Sequence, residues 1–218
     1  MKTIVVIDYG MGNLRSVSKA IEHVASASDR VLVTDDPQLI HDADRVVFPG
    51  QGAARDCMAA ISDHHLNQAV LDAAHNKPFL GICMGLQVLL RHSEENGGTD
   101  LLGLFAGEVR HFPEAEDALG RRLKIPHMGW SRVRQVQPHP LWQGIDDESR
   151  FYFVHSYYIA PQVTDLVAGT TDYAVTFPCS IARDNLFAVQ FHPEKSADAG
   201  LRLLKNFVDW NGNYSAHP

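Results

Sequence analysis

The sequence predicts an α/β protein: a mostly parallel central sheet flanked by helices, with antiparallel strands added in the C-terminal half. Three observations carry this expectation. Apolar, largely β-branched runs at 3–7, 30–34, 45–48 and 78–82 end in loop residues, and helical periodicity follows, the alternation that builds βαβ units. The run at 78–82 is apolar throughout, as a strand buried on both faces requires. From Gly103 onward the pattern changes to short alternating runs separated by turn residues, which suits antiparallel pairing.

The first strand, 3–7, ends at Asp8-Tyr9-Gly10-Met11-Gly12-Asn13, before a helix over 14–24. Strands over 30–34 and 45–48 follow, the second stopping at Pro49-Gly50-Gln51-Gly52. One helix is expected over 57–74, then the buried strand 78–82 and a helix over 84–91. The later runs at 107–112, 131–135, 151–159, 167–171 and 179–182 are the antiparallel additions. A strand over 186–191 leads into His192-Pro193-Glu194. A helix over 199–210 closes the pattern, with Leu201, Leu204, Phe207 and Val208 on one face. Residues 113–122 are charged and read as an exposed loop. No repeat, low-complexity tract or linker divides the chain, so one domain over 1–218 is expected.

With 19 Lys and Arg against 26 Asp and Glu, the net charge of -7 argues against nucleic acid or an anionic membrane as partner. The cysteines, Cys57, Cys83 and Cys179, are odd in number and form no CxxC pair. A reducing cytoplasm fits that usage. Asp8 interrupts the apolar N-terminal run before a signal core or membrane span forms. His64-His65 and His139 lack metal-ligand spacing and read as surface or loop residues, so no metal is expected. Gly10-Met11-Gly12 follows a strand, but Arg15 stands where a dinucleotide fingerprint needs its third glycine. No cofactor is expected.

The chemistry concentrates in two places. Gly81-Ile82-Cys83-Met84-Gly85 puts a cysteine at the turn from buried strand to helix, flanked by glycines that permit a tight bend. This is a nucleophile elbow with sulfur for oxygen. The helix N-terminus favours a thiolate, and the Met84 N–H is aimed at an oxyanion on the attacked carbonyl. A free thiol is only a few per cent ionised at neutral pH, on the order that makes an adjacent base necessary. Phe191-His192-Pro193-Glu194 supplies one: in a parallel sheet His192 leaves the same edge as Cys83, and Glu194 holds one ring nitrogen. Cys57 and Cys179 read as small buried hydrophobes.

The runs Gly81 to Gln87 and His192 to Glu194 resemble the Gly-x-Cys-x-Gly-x-Gln and His-Pro-Glu motifs of the class I, or triad, glutamine amidotransferases. The resemblance spans the chain. It implies a single domain of that type, a Cys83–His192–Glu194 triad and L-glutamine as substrate. It also implies an oxyanion hole from the backbone of Gln51, Gly52 and Met84. Gln51 departs from the small apolar residue of that pattern, which matters little where the peptide N–H does the work.

Within the class, Ile7 to Leu14, Pro126-His127-Met128-Gly129-Trp130 and Phe153-Val154-His155-Ser156-Tyr157-Tyr158 are similar to glutaminase subunits of imidazole glycerol phosphate synthase. By this resemblance Gln87 and Glu95 hold the α-amino and α-carboxylate end of glutamine, and His155, Ser156 and Tyr157 complete the pocket. The partner implied is a cyclase subunit with a (β/α)₈ barrel that receives the ammonia, contacted near Asn13, Trp130, Tyr152 and Lys195. Two alternatives stay open: a glutaminase serving another triad amidotransferase, and an inactive interaction module with the same fold.

Overall fold

The structure, a computed structural model, describes residues 1–117 and 119–214. The strands are β1 (Thr3–Ile7), β2 (Arg30–Thr34), β3 (Arg45–Gly50), β4 (Phe79–Cys83), β5 (His92–Ser93), β6 (Thr99–Asp100) and β7 (Gly107–His111). They continue as β8 (His127–Gln135), β9 (Ser149–His155), β10 (Tyr157–Pro161), β11 (Val167–Asp172), β12 (Thr176–Arg183) and β13 (Leu186–Val189). The helices are α1 (Leu14–Val24), α2 (Pro37–Asp42), α3 (Ala54–Asp63), α4 (Asn67–Asn76), α5 (Met84–Gln87) and α6 (Ala197–Asp209).

Nine strands form one sheet in the order β2-β1-β3-β4-β13-β12-β11-β8-β9. The first five pair in parallel, and from β12 onward the pairing is antiparallel. A second sheet, β10-β7-β5-β6, packs against it through Val109 and Ile159. Alternation along β1 divides the core: Ile4 and Val6 pack with Val17 and Ile21 of α1 and Leu203 and Phe207 of α6. Val5 and Ile7 pack with Cys57 and Ile61 of α3 and Val70 of α4. All five residues of β4 are buried. Among the described residues no helix is long and apolar enough to cross a membrane.

Several elements depart from expectation. The helix expected over 57–74 is two helices, broken where His65 takes φ 56°. The buried series Cys57, Ile61, Leu66, Val70 contains a five-residue step, which a 3.6-residue period cannot carry on one face. The helix expected over 84–91 ends at Gln87. Leu89 N–H and Leu90 N–H bond the carbonyls of Leu86 and Gln87, three residues back, as the turn tightens. The run 151–159 splits at Ser156 between the two sheets. The runs after Gly103 therefore build part of a second sheet as well as extending the first. α2 was not anticipated, although Asp36-Pro37 is a cap-and-first-turn signal: the Asp36 carboxylate accepts from Gln38 N–H at 2.8 Å.

His139 is not a surface residue. It is buried against Phe187, Trp210 and Tyr214, and its Nδ1 accepts from Leu141 N–H. Residues 113–122 form an exposed loop closed by a Glu116–Arg122 bridge, with position 118 outside the described residues.

Candidate active site

The parallel half of the sheet brings three carboxyl ends together, the edge where open α/β sheets bind ligands. Gly50 at the end of β3 pairs with Cys83 at the end of β4. Val189 of β13 pairs with Ile82, so the chain that continues to His192 leaves beside Cys83. Residues 83 and 192, distant in sequence, meet because β13 is inserted next to β4.

Cys83 has φ 56° and ψ −109°, a left-handed backbone that an L residue adopts only when its surroundings impose it. Close packing of the elbow imposes it. A Cβ on Gly85 would lie 1.8 Å from the Phe48 carbonyl oxygen, and one on Gly81 would lie 2.6 Å from that of Gly85. The turn fits only because both positions lack a side chain.

His192 is buried, and its Nδ1 lies 2.9 Å from Glu194 Oε1, with the carboxylate side chain 1% exposed. The loop is pinned to β9: His192 N–H donates to the Tyr152 carbonyl, Ser196 Oγ–H to the His192 carbonyl, and Tyr152 N–H to Ser196 Oγ. Nε2 has no hydrogen bond of ordinary geometry and is the nitrogen left for Cys83. Burial pulls the imidazolium down. Hydrogen bonding and charge from Cys83 and Glu194 outweigh it and push His192 up to about 10. With Glu194 on one ring nitrogen and Cys83 beside the other, the ring is placed as a base for the thiol proton.

A cavity of about 480 Å³ opens over Cys83. It is lined by Gln51, Gly52, Met84, Gln87, Glu95, His155, Ser156, Tyr157 and His192, so every catalytic, oxyanion and substrate position expected from sequence except Glu194 reaches it. Glu194 stands behind His192. Gly52 has φ 101°, and the Gln51 carbonyl accepts from the buried Cys57 thiol at 3.5 Å. Because carbonyl and N–H point opposite ways across a trans peptide, that bond turns the Gly52 N–H away from α3. Glu95 Oε2 accepts from Ala54 N–H at 2.6 Å.

Of the four expected contact residues, Trp130 and Tyr152 form a cross-strand pair on β8 and β9, with ring centroids 6.0 Å apart. Trp130 is 49% exposed and Met128, two residues away on the same face of β8, is 62% exposed. Lys195 is exposed in the turn after His192. Asn13 caps α1, its side chain accepting from Ser16 N–H, and α1 packs on that same turn.

Sequence reasoning missed Gln190 and His127. Gln190 is fully buried beside Cys83, and His127 is buried against His155 with Nδ1 and Nε2 3.1 Å apart. Gln190 had one signal, a polar residue within the apolar run 186–191, where burial demands a partner; His127, at the head of the mixed strand β8, had none of that kind. Burial also lowers His127 to about 4 and His155 to about 3, so both rings are neutral. Among the described residues no group of three or more His, Cys, Asp or Glu is arranged to hold a metal.

The profile of the Glutamine amidotransferase class-I family matches residues 5–210. An imidazole glycerol phosphate synthase subunit HisH from Thiobacillus denitrificans is 60% identical, over 95% of this chain and 91% of its own. Its counterpart from Dechloromonas aromatica is also 60% identical, over 96% and 97%. The solved structure of PurLQS from Thermotoga maritima superposes with a TM-score of 0.68 over 96% of this chain and 99% of its own, at 16% identity, a likeness of fold. A cysteine elbow, a histidine and carboxylate on the neighbouring strand end, and a family match running nearly end to end agree: the chain belongs to the class I glutamine amidotransferases.

Proposed function

We infer that this chain is the glutaminase subunit of an imidazole glycerol phosphate synthase, hydrolysing L-glutamine to glutamate and ammonia. The observation that carries the reading is the left-handed Cys83 at the floor of the cavity, with His192 lining the same cavity and Glu194 bonded to the imidazole Nδ1. The Cys83 sulfur attacks the side-chain amide carbon of glutamine. Backbone N–H groups of Met84 and Gly52 hold the oxyanion, and His192 protonates the departing ammonia. A glutamyl thioester remains on Cys83, and water deprotonated by His192 releases glutamate.

The far end of the substrate meets groups of suitable chemistry. Both N–H bonds of the Gln87 amide are engaged, at the Tyr157 carbonyl and at Gln190, which leaves Oε1 as its free atom. Gln87 and Glu95 both offer acceptors, which suits the α-ammonium, and the backbone around His155, Ser156 and Tyr157 takes the α-carboxylate. The single domain works in the cytoplasm with a cyclase subunit of (β/α)₈ form that receives the ammonia and docks on Asn13, Trp130, Tyr152 and Lys195.

The test is activity of the reconstituted complex. Cys83→Ala abolishes glutamine-dependent formation of imidazole glycerol phosphate and leaves ammonia-dependent formation intact. Glutaminase activity retained in that variant overturns the assignment. A chain that hydrolyses glutamine but fails to support a histidine auxotroph belongs to another amidotransferase.

A further inference from the structure

A chain of hydrogen bonds ends on the reacting sulfur, and one backbone atom fixes its direction. The Tyr157 carbonyl oxygen is only an acceptor. It receives the His155 Nδ1–H at 2.7 Å and lies 3.1 Å from the Gln87 amide nitrogen, so that end of the Gln87 amide must be its NH₂. The same nitrogen lies 2.9 Å from the side-chain amide of Gln190, which must therefore present its oxygen. The Gln190 NH₂ is left facing Cys83 Sγ, at 3.7 Å. Two amide orientations that are ambiguous on their own are thus both set by a main-chain oxygen.

The anchor is itself anchored. His155 donates through Nδ1, so its Nε2 accepts from His127 Nδ1–H at 3.1 Å, and His127 Nε2 then accepts from Ser131 Oγ–H at 2.8 Å. Gln190 has no exposed surface and no rotamer that would exchange its two ends without breaking a buried bond.

We propose that Gln190 is a catalytic residue: its side-chain N–H is an obligatory donor to the Cys83 sulfur, stabilising the thiolate and aiming it at the substrate amide. A thiolate is a better acceptor than a thiol, and a hydrogen bond to a charged partner is roughly twice as strong as one between neutral groups. The bond therefore favours the nucleophilic form. It rests on the glutaminase reading only in taking Cys83 as the nucleophile.

The test is alkylation of Cys83 by iodoacetamide across pH in the whole chain, with Gln190→Glu and Gln190→Met. Alkylation needs a thiolate and no glutamine. Cys57, pushed up to about 11 by burial, and the fully buried Cys179, also raised, do not compete. Gln190→Glu keeps the acceptor for Gln87 but turns a carboxylate oxygen on the sulfur. Its alkylation rate at neutral pH falls by about tenfold or more relative to the rate at alkaline pH. Gln190→Met, neutral and of similar length, shows a smaller fall in the same direction and decides the matter if the glutamate variant does not fold. A rate–pH profile identical to wild type in a folded variant overturns the proposal. A wild-type chain that alkylates at Cys83 yet hydrolyses no glutamine in the reconstituted complex sinks the functional reading and leaves the role of Gln190 standing.

Discussion

Glu194 Oε1 sits 2.9 Å from His192 Nδ1 with its side chain sealed from solvent, while its other oxygen, Oε2, is buried without a hydrogen bond. One carboxylate oxygen thus serves the imidazole alone. Charge and geometry at this contact are separable, because an amide has the same shape. Glu194→Gln keeps the packing but removes the anion that favours imidazolium. By the logic of acid–base triads, kcat for glutamine hydrolysis falls on the order of 10²–10⁴-fold. The drop belongs in kcat, since neither Glu194 nor its replacement lines the cavity. A glutaminase assay giving raised KM with unchanged kcat removes Glu194 from the mechanism.

The elbow is a packing device as well as a catalytic one. Gly85→Ala places a methyl 1.8 Å from the Phe48 carbonyl oxygen, where only backbone can yield. α5 must then lift away from β3, carrying with it the turn at Cys83 from which it starts. The expected cost is about 3 kcal/mol, read as a lower urea midpoint at unchanged slope. Activity falls further than stability accounts for, because the same displacement moves the Met84 N–H. A variant with wild-type midpoint and activity shows that the turn has slack.

How much of this was legible in sequence depends on how local each cause is. β1, α1, β2, β4 and α6 were legible because a periodic apolar face or a buried run announces itself within a dozen residues. The break after Ile61 is announced too, by the five-residue step to Leu66, although the apolar residues on either side of it suit one longer helix. The early end of α5 was not announced: Val88, Leu89 and Leu90 are all fully buried, and apolar residues on every side suit a turn as well as a helix. Cys83 and His192 were legible because glycine spacing and strand ends place them. Gln190 was not, since its partners Gln87 and Cys83 lie 103 and 107 positions away and its role exists only after β13 has inserted beside β4.

Three buried histidines make stability sensitive to acid. Burial lowers His139 and His155 to about 3 and His127 to about 4, against an ordinary 6.5 in the unfolded chain. Between those limits the unfolded state binds more protons, so stability rises with pH. The contribution is complete above 6.5 and is lost as pH falls, down to about 4 for His127 and about 3 for His139 and His155. His192 does not offset this: its folded value is raised, so below 6.5 it carries its proton in both states. Denaturation midpoints should fall through mild acid. His139→Phe lowers the slope of ΔG against pH by up to about 1.4 kcal/mol per unit. An unchanged slope in that variant shows that His139 does not titrate with unfolding.

The exposed face of β8 tests the partner surface apart from the chemistry. Met128 and Trp130 are large and apolar, project from the same side of the strand, and are 62% and 49% exposed, a cost that an isolated surface gains nothing by bearing. Trp130 stacks edge-on against Tyr152, and the Tyr152 main chain holds the His192 loop from both sides. Docking there would cover the aromatic pair and stiffen β9, to which the His192 loop is pinned. Trp130→Ala is therefore expected to weaken binding of the cyclase subunit by about 2 kcal/mol, roughly thirtyfold in Kd. Calorimetric titration reads that change directly. In the free chain the same variant alkylates at Cys83 as wild type does, because Trp130 touches neither the sulfur nor the histidine. An unaltered Kd places the interface elsewhere, and altered alkylation without a partner makes the tryptophan a prop of the site instead.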